Sequence, residues 1–168
     1  MTIEFKAWPK IPRIENEKIF FTEKIDGTNA CIIITEEGEF ACQSRTRIIT
    51  PGDDNFGFAS WAYKHKEELM SLGVGHHYGE WWGKGIQRGY NLEEKRFSLF
   101  NIFRWNKDNT NLPPCCHIVP SIEATTIEEA KQYIISNGSL AAPGFMDIEG
   151  LILYNHLARS YYKIIISK

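Results

Sequence analysis

Lys24 stands in the stretch Glu23-Lys24-Ile25-Asp26-Gly27-Thr28-Asn29, between the short apolar run Ile19-Phe20-Phe21 and the longer run Cys31-Ile32-Ile33-Ile34. A lysine at a strand end beside a glycine turn is a candidate nucleophile, because partial desolvation and neighbouring cations favour its neutral amine. Taken alone, the heptapeptide is equally compatible with a solvated hairpin lysine. Glu80 is a second candidate: it lies inside Tyr78-Gly79-Glu80-Trp81-Trp82-Gly83 among groups that want burial, and a buried carboxylate needs a partner, of which a ligand hydroxyl is one. Arg45 and Arg47, in Ser44-Arg45-Thr46-Arg47, carry planar forks suited to phosphate oxygens. Phe100 on its own reads as one more core aromatic, and Glu149 as a strand-start carboxylate in a turn.

These residues fall in a fixed order along the chain: Lys24, Ser44-Arg45-Thr46, Tyr78 to Gly83, Phe97-Ser98-Leu99-Phe100, Glu149-Gly150-Leu151-Ile152 and Tyr162-Lys163-Ile164. The ordered set resembles the covalent nucleotidyltransferase superfamily of ATP-dependent DNA and RNA ligases and mRNA capping enzymes. The stretch Gly79-Glu80-Trp81-Trp82-Gly83-Lys84-Gly85-Ile86-Gln87 and the approach Lys10-Ile11-Pro12-Arg13-Ile14-Glu15-Asn16 are most similar to the type-2 RNA ligases, the group that includes RNA-editing ligases.

The resemblance implies an ATP-dependent RNA ligase. In it Lys24 attacks the α-phosphorus of ATP, forms a lysyl-AMP intermediate and passes the nucleotide to a 5′-phosphate end, which is then sealed to a 3′-hydroxyl. By the same resemblance Phe100 stacks on adenine, Glu80 binds the ribose hydroxyls, and Arg45 contacts ribose and later the substrate phosphate. Glu149 helps to hold a catalytic Mg²⁺ or Mn²⁺, Asn29 supports the phosphate chemistry, Glu23 meets the adenine amino group, and Lys163 lies close to the reacting groups. Two departures stand out. The family's last motif is usually K-x-K, whereas Lys163 is followed by Ile164-Ile165, so a second cation has to come from Lys168 or Lys84. Relatives also continue into a further C-terminal domain, so residues 1–168 read as a single adenylation domain without an accessory domain, and a partner domain or protein is expected to supply the missing part. An ATP-dependent DNA ligase, a capping-type guanylyltransferase and a non-catalytic relative that binds nucleic-acid ends or nucleotide are the competing readings.

Composition bounds these readings. The chain has 168 residues, 43% of them hydrophobic, which suits one domain with a substantial core. A net charge of -2 excludes a surface that attracts nucleic acid everywhere, so contacts with RNA ends, favoured over DNA, need a local patch; Arg45, Arg47, Lys84 and Arg88 are the candidates. Trp81 and Trp82, interleaved with Lys84, Arg88 and Lys95, either stack a single strand or belong to the core. No apolar segment approaches the ~20 residues of a membrane helix and no signal-peptide layout opens the chain, so a cytoplasmic location is the default. Cys31, Cys42, Cys115 and Cys116 show no metal-binding spacing and read as reduced thiols, and His76-His77 as partly exposed strand residues.

The elements that must position the candidates follow from periodicity. Residues 19–23, 29–35, 39–44, 76–82 and 96–105 predict strands, with Lys24 and Arg45 at strand ends of one sheet. A helix is expected from about Phe58 to Leu72, and a second one after the capping box Thr125-Thr126-Ile127-Glu128, ending near Asn137-Gly138. Residues 149–154 and 159–167 predict a closing hairpin. The fold class is α+β: two packed, mainly antiparallel sheets with flanking helices and a cleft between them. The resemblance adds that this is the ATP-grasp-like cleft of a ligase adenylyltransferase domain.

Overall fold

A computed structural model of the chain describes residues 2–9, 19–106, 108 and 111–167; the approach Lys10 to Asn16, and Lys168, lie outside the described residues. Among the described residues, ten strands form two sheets. β1 (Ile19–Lys24), β8 (Ser121–Ile122), β9 (Gly150–Asn155) and β10 (Ser160–Ile165) make a four-stranded sheet in the order β10-β9-β1-β8. β2 (Thr28–Ile34), β3 (Phe40–Gln43), β4 (Ile48–Ile49), β5 (Gly75–Gly83), β6 (Lys95–Leu99) and β7 (Cys116–Ile118) make a six-stranded sheet in the order β4-β3-β2-β5-β6-β7. Every pairing is antiparallel except β6 with β7. The expected α+β class of two mainly antiparallel sheets is what the chain adopts.

Strand alternation sorts the side chains into three cores. Ala30, Ile32 and Ile34 of β2, Trp81 of β5 and Phe97 and Leu99 of β6 share one face, which packs on Phe58, Ala59 and Ala62 of α1 (Phe58–Lys64) and Leu69 of α2 (Lys66–Leu69). Phe21, Leu151 and Leu153 of the smaller sheet pack on Ala130 and Ile134 of α3 (Ile127–Asn137). Ile25, Trp82, Tyr90, Val119 and Ala142 fill a third cluster beneath the link from β1 to β2. The third helix begins one residue later than a box of Thr125 with Glu128 places it, the cap pairing Thr126 with Glu129: Thr126 Oγ1 accepts from Glu129 N at 3.1 Å, Glu129 Oε2 accepts from the Thr125 amide and hydroxyl, and Gly138 closes the helix at φ 73°.

Several expectations are corrected. The helix expected from Phe58 to Leu72 breaks at His65 into α1 and α2 and ends in a 3₁₀ turn over Met70–Leu72. The strand expected to run to Trp105 stops at Leu99, where Asn101 Oδ1 accepts from the amides of Phe103 and Arg104 and turns the chain. Lys24 and Arg45 belong to different sheets, because the chain crosses from one to the other at Ile25–Gly27. Trp81 and Trp82 are buried, 2% and 1% exposed, one in each of two cores, and stack no strand. His77 is buried and bonds the Gly73 carbonyl at 2.7 Å, while His76 is exposed.

Candidate functional site

The cleft is built from one face of each sheet. On the smaller sheet Lys24, Gly150 and Ile165 stand in one cross-strand row, and Thr22, Ile152 and Lys163 in the next. Directly opposed residues of antiparallel strands share a face, so Lys24 and Lys163 look to the same side. They sit on strands separated by β9, about 10 Å apart across the sheet, since neighbouring strands are about 4.8 Å apart. Lys24 Nζ donates to Glu149 Oε2 at 2.8 Å, and both side chains are largely but not wholly shielded.

On the larger sheet Asn29, Glu80 and Ser98 form one row. β3 ends at Gln43, which pairs with Ile48 of β4, so Arg45 lies in the tight turn between them, where Ser44 N donates to the Arg47 carbonyl at 2.8 Å. The two walls meet at the turn after Lys24, where Glu80 Oε2 accepts from Gly27 N at 2.9 Å. Glycine is required at 27: a Cβ there would run into the Trp81 carbonyl oxygen and come within 2.7 Å of Trp82 Cβ. The K-x-D-G pattern is therefore the point at which the chain leaving β1 after Lys24 passes close over β5.

Glu80 is 8% exposed, and burial raises its carboxyl to about 7, against a lowering by the Gly27 amide and by Lys24. Glu149 and Asp26 push the same carboxyl up, so Lys24, Glu80, Glu149 and Asp26 form one electrostatic group. Just past β6, Phe100 is 42% exposed and lines a hollow with Thr22, Ile152, Phe20, Tyr154 and Tyr161 of the opposite sheet. A ring on one wall and a branched aliphatic on the other make a slot for a flat ligand.

Three sequence expectations are placed differently by the structure. Glu23 follows Thr22 on β1 and points to the other face from Lys24, as adjacent strand residues must. Its buried carboxylate accepts from Ser139 Oγ (2.7 Å), Leu140 N (2.8 Å) and Ala141 N (3.0 Å), so it anchors the 139–142 turn and does not reach the cleft. Arg47 donates to the carbonyls of Asp53 and Asp54 and pairs with the Asp53 carboxylate, which fixes the loop before α1. Arg88 is turned inward, pairing with Asp26 at 2.9 Å and donating to the Ser167 carbonyl at 2.8 Å, so it offers no fork to a strand. Lys84 is exposed beside Gly83, and Arg45 is exposed in the β3–β4 turn. Sequence reasoning missed Thr22, Ile152 and Tyr90, whose hydroxyl accepts from Asp26 N at 2.7 Å. For the first two, the alternation around Lys24 was the available signal.

A family model described as RNA ligase matches residues 17–144, which is most of the chain. The chain belongs to the RNA ligase family. Glu149 and Lys163 lie beyond the matched residues. The Naegleria gruberi RNA ligase, as a lysine-to-alanine variant with ATP and Mn, superposes with a TM-score of 0.63 at 19% identity, covering 89% of this chain and 49% of that one. A glutamate-to-alanine variant of the same ligase with AMP and Mn gives 0.64 at 20%, covering 90% and 50%. The ligase with PPi gives 0.63 at 18%, covering 89% and 49%. At these identities the likeness shows the shared fold, and this member of the RNA ligase family spans about half the length of the Naegleria protein. No curated protein matches the chain.

Proposed function

We propose that this chain carries the nucleotidyl-transfer centre of an ATP-dependent RNA ligase, of type-2 character, that acts in RNA end joining and repair through a lysyl-AMP intermediate. One observation carries the reading: the Lys24 amine is held 2.8 Å from Glu149 on one wall of the cleft, facing a second wall that presents Glu80 and Asn29 in one row. A lone solvated lysine needs neither the buried carboxylate nor the second wall.

The Lys24 nitrogen bonds to the α-phosphorus of ATP, the bond from that phosphorus to the bridging oxygen breaks, and pyrophosphate leaves with the electron pair while the amine releases a proton. An oxygen of an RNA 5′-phosphate then takes the nucleotide from Lys24, and a 3′-hydroxyl displaces AMP to form the phosphodiester. Phe100 and Ile152 hold the adenine between them, Glu80 bonds the ribose, and Arg45 meets phosphate oxygens with its fork. Lys163, on the same face as Lys24, neutralises phosphate charge. Glu149 would be the hard oxygen ligand for Mg²⁺ or Mn²⁺. Among the described residues no group of three or more His, Cys, Asp or Glu side chains is gathered to hold a metal alone, so such an ion fits here only with further oxygens from phosphate and water. When bound it would supply charge neutralisation at the phosphates.

The test is intact-mass analysis after incubation with ATP and Mg²⁺ or Mn²⁺, with GTP in parallel. The wild-type chain gains one AMP and no GMP, and Lys24→Ala gains neither while keeping its circular dichroism. An adduct on Lys24→Ala, or none on the wild type, overturns the reading.

A further inference from the structure

Arg88 was a nucleic-acid candidate in the sequence, and its surroundings give it another task. Its side chain is 11% exposed. Nη1 pairs with Asp26 Oδ2 at 2.9 Å, Nη2 donates to the Ser167 carbonyl at 2.8 Å, and Nε lies 3.6 Å from Asp147 Oδ2. All three guanidinium nitrogens are thus engaged, each with a different segment. Those segments are the ones that carry the cleft's chemistry: Asp26 comes two residues after Lys24, Asp147 two residues before Glu149, and Ser167 ends the segment that follows Lys163 on β10.

The ladder explains why a clamp is needed at this place. Lys24 and Gly150 form the last in-register pair of β1 with β9, and Ile165 with Gly150 the last of β10 with β9. Beyond them the three chains continue without strand pairing, apart from the amides of Ile166 and Ser167 on the Glu149 carbonyl. Two carboxylates, Asp26 and Asp147, face each other across this gap, and Glu80 and Glu149 add their charge close by. Without a cation between them the ends repel. Arg88 reaches the gap from a loop whose backbone is set for it: Gln87 and Tyr90 on either side hold φ of 46° and 56°, and the Tyr90 hydroxyl accepts from Asp26 N. A lysine there would be a point charge, whereas the planar fork can serve three acceptors at once.

We propose that Arg88 is a positioning residue for nucleotidyl transfer, its guanidinium joining Asp26, Asp147 and the Ser167 carbonyl so that the Lys24 amine and Glu149 stay in register across the strand ends. The proposal rests on the reading of Lys24 and Glu149 given above. It differs from phosphate binding, because a side chain with every nitrogen occupied acts through the chain segments it holds.

The experiment is single-turnover formation of the lysyl-AMP adduct by the full chain, measured against ATP and against Mn²⁺, with thermal melts and RNA binding alongside. Arg88→Ala lowers the maximal rate by roughly 100-fold, the order of loss expected for a displaced reacting group, while half-saturating ATP moves by less than about threefold. Arg88→Lys restores less than about a tenth of the lost rate, because one ammonium cannot bridge three segments. Asp147→Asn, at an exposed side chain whose loss leaves the fold intact, lowers the maximal rate about tenfold and raises the Mn²⁺ requirement. If Arg88→Ala does not fold, Arg88→Lys and Asp147→Asn decide. Wild-type maximal rates in the folded variants overturn the proposal, as does normal adduct formation with weakened RNA binding, which makes Arg88 a strand contact. A wild-type chain that forms no adduct overturns the underlying reading instead.

Discussion

Replacing Glu80 by glutamine separates what this side chain does for a ligand from what its burial does to stability. In the folded chain the carboxyl is raised from 4.5 to about 7, first by desolvation. Between those two values the folded protein holds a proton that the unfolded chain has released, so stability falls as pH rises through this window and levels off above it. A shift of about 2.5 units at about 1.4 kcal/mol each gives about 3 kcal/mol by pH 8. Glutamine can still accept from the Gly27 amide and carries no charge, so Glu80→Gln should match the wild type near pH 4 and exceed it by about 3 kcal/mol at pH 8. Urea midpoints of both proteins from pH 4 to 8 measure this, because carboxylates that do not interact with Glu80 cancel in the difference. The same variant should form the nucleotide adduct poorly at saturating metal, since the charged ribose acceptor is gone. Parallel stability profiles for the two proteins would refute the argument, and with it the claim that the cleft holds a carboxylate at a cost to stability.

Phe100→Ala should raise the half-saturating ATP concentration for adduct formation with a loss of about 1–3 kcal/mol, and leave the melting temperature nearly unchanged because the ring is already 42% exposed. Gly27→Ala forces a Cβ against the Trp81 carbonyl and Trp82, so the melting temperature and the adduct should be lost together; a stable, active variant would mean that β1 and β2 can part without consequence. Sealing of 5′-phosphorylated RNA should fall steeply with salt, and Arg45→Ala should flatten the logarithmic salt slope by about 0.7 if it holds one phosphate of a single strand. An unchanged slope would remove Arg45 from the strand path.

Local signals determined much of this protein. The Thr125-Thr126 capping box set the start of α3 because its hydrogen bonds span four residues, and the apolar alternation set β1, β2, β5 and the closing hairpin to within a residue or two. The collinear motifs around Lys24, Glu80 and Glu149 pointed to the RNA ligase family before any geometry was known. What the sequence could not decide is which partners the polar groups would find. Glu23 and Lys24 are neighbours in the chain, yet β-strand alternation sends one to the 139–142 turn and the other to the cleft, 116 residues and 125 residues from their respective partners Ser139 and Glu149. Arg88 and Arg45 are the same residue type in similarly polar stretches. The first is turned inward because the strand ends leave two carboxylates that need a cation, and the second stays exposed in the tight turn between β3 and β4. Pairing across the fold is set by which strands neighbour each other, and that order, β10-β9-β1-β8 beside β4-β3-β2-β5-β6-β7, exists only once the chain has folded.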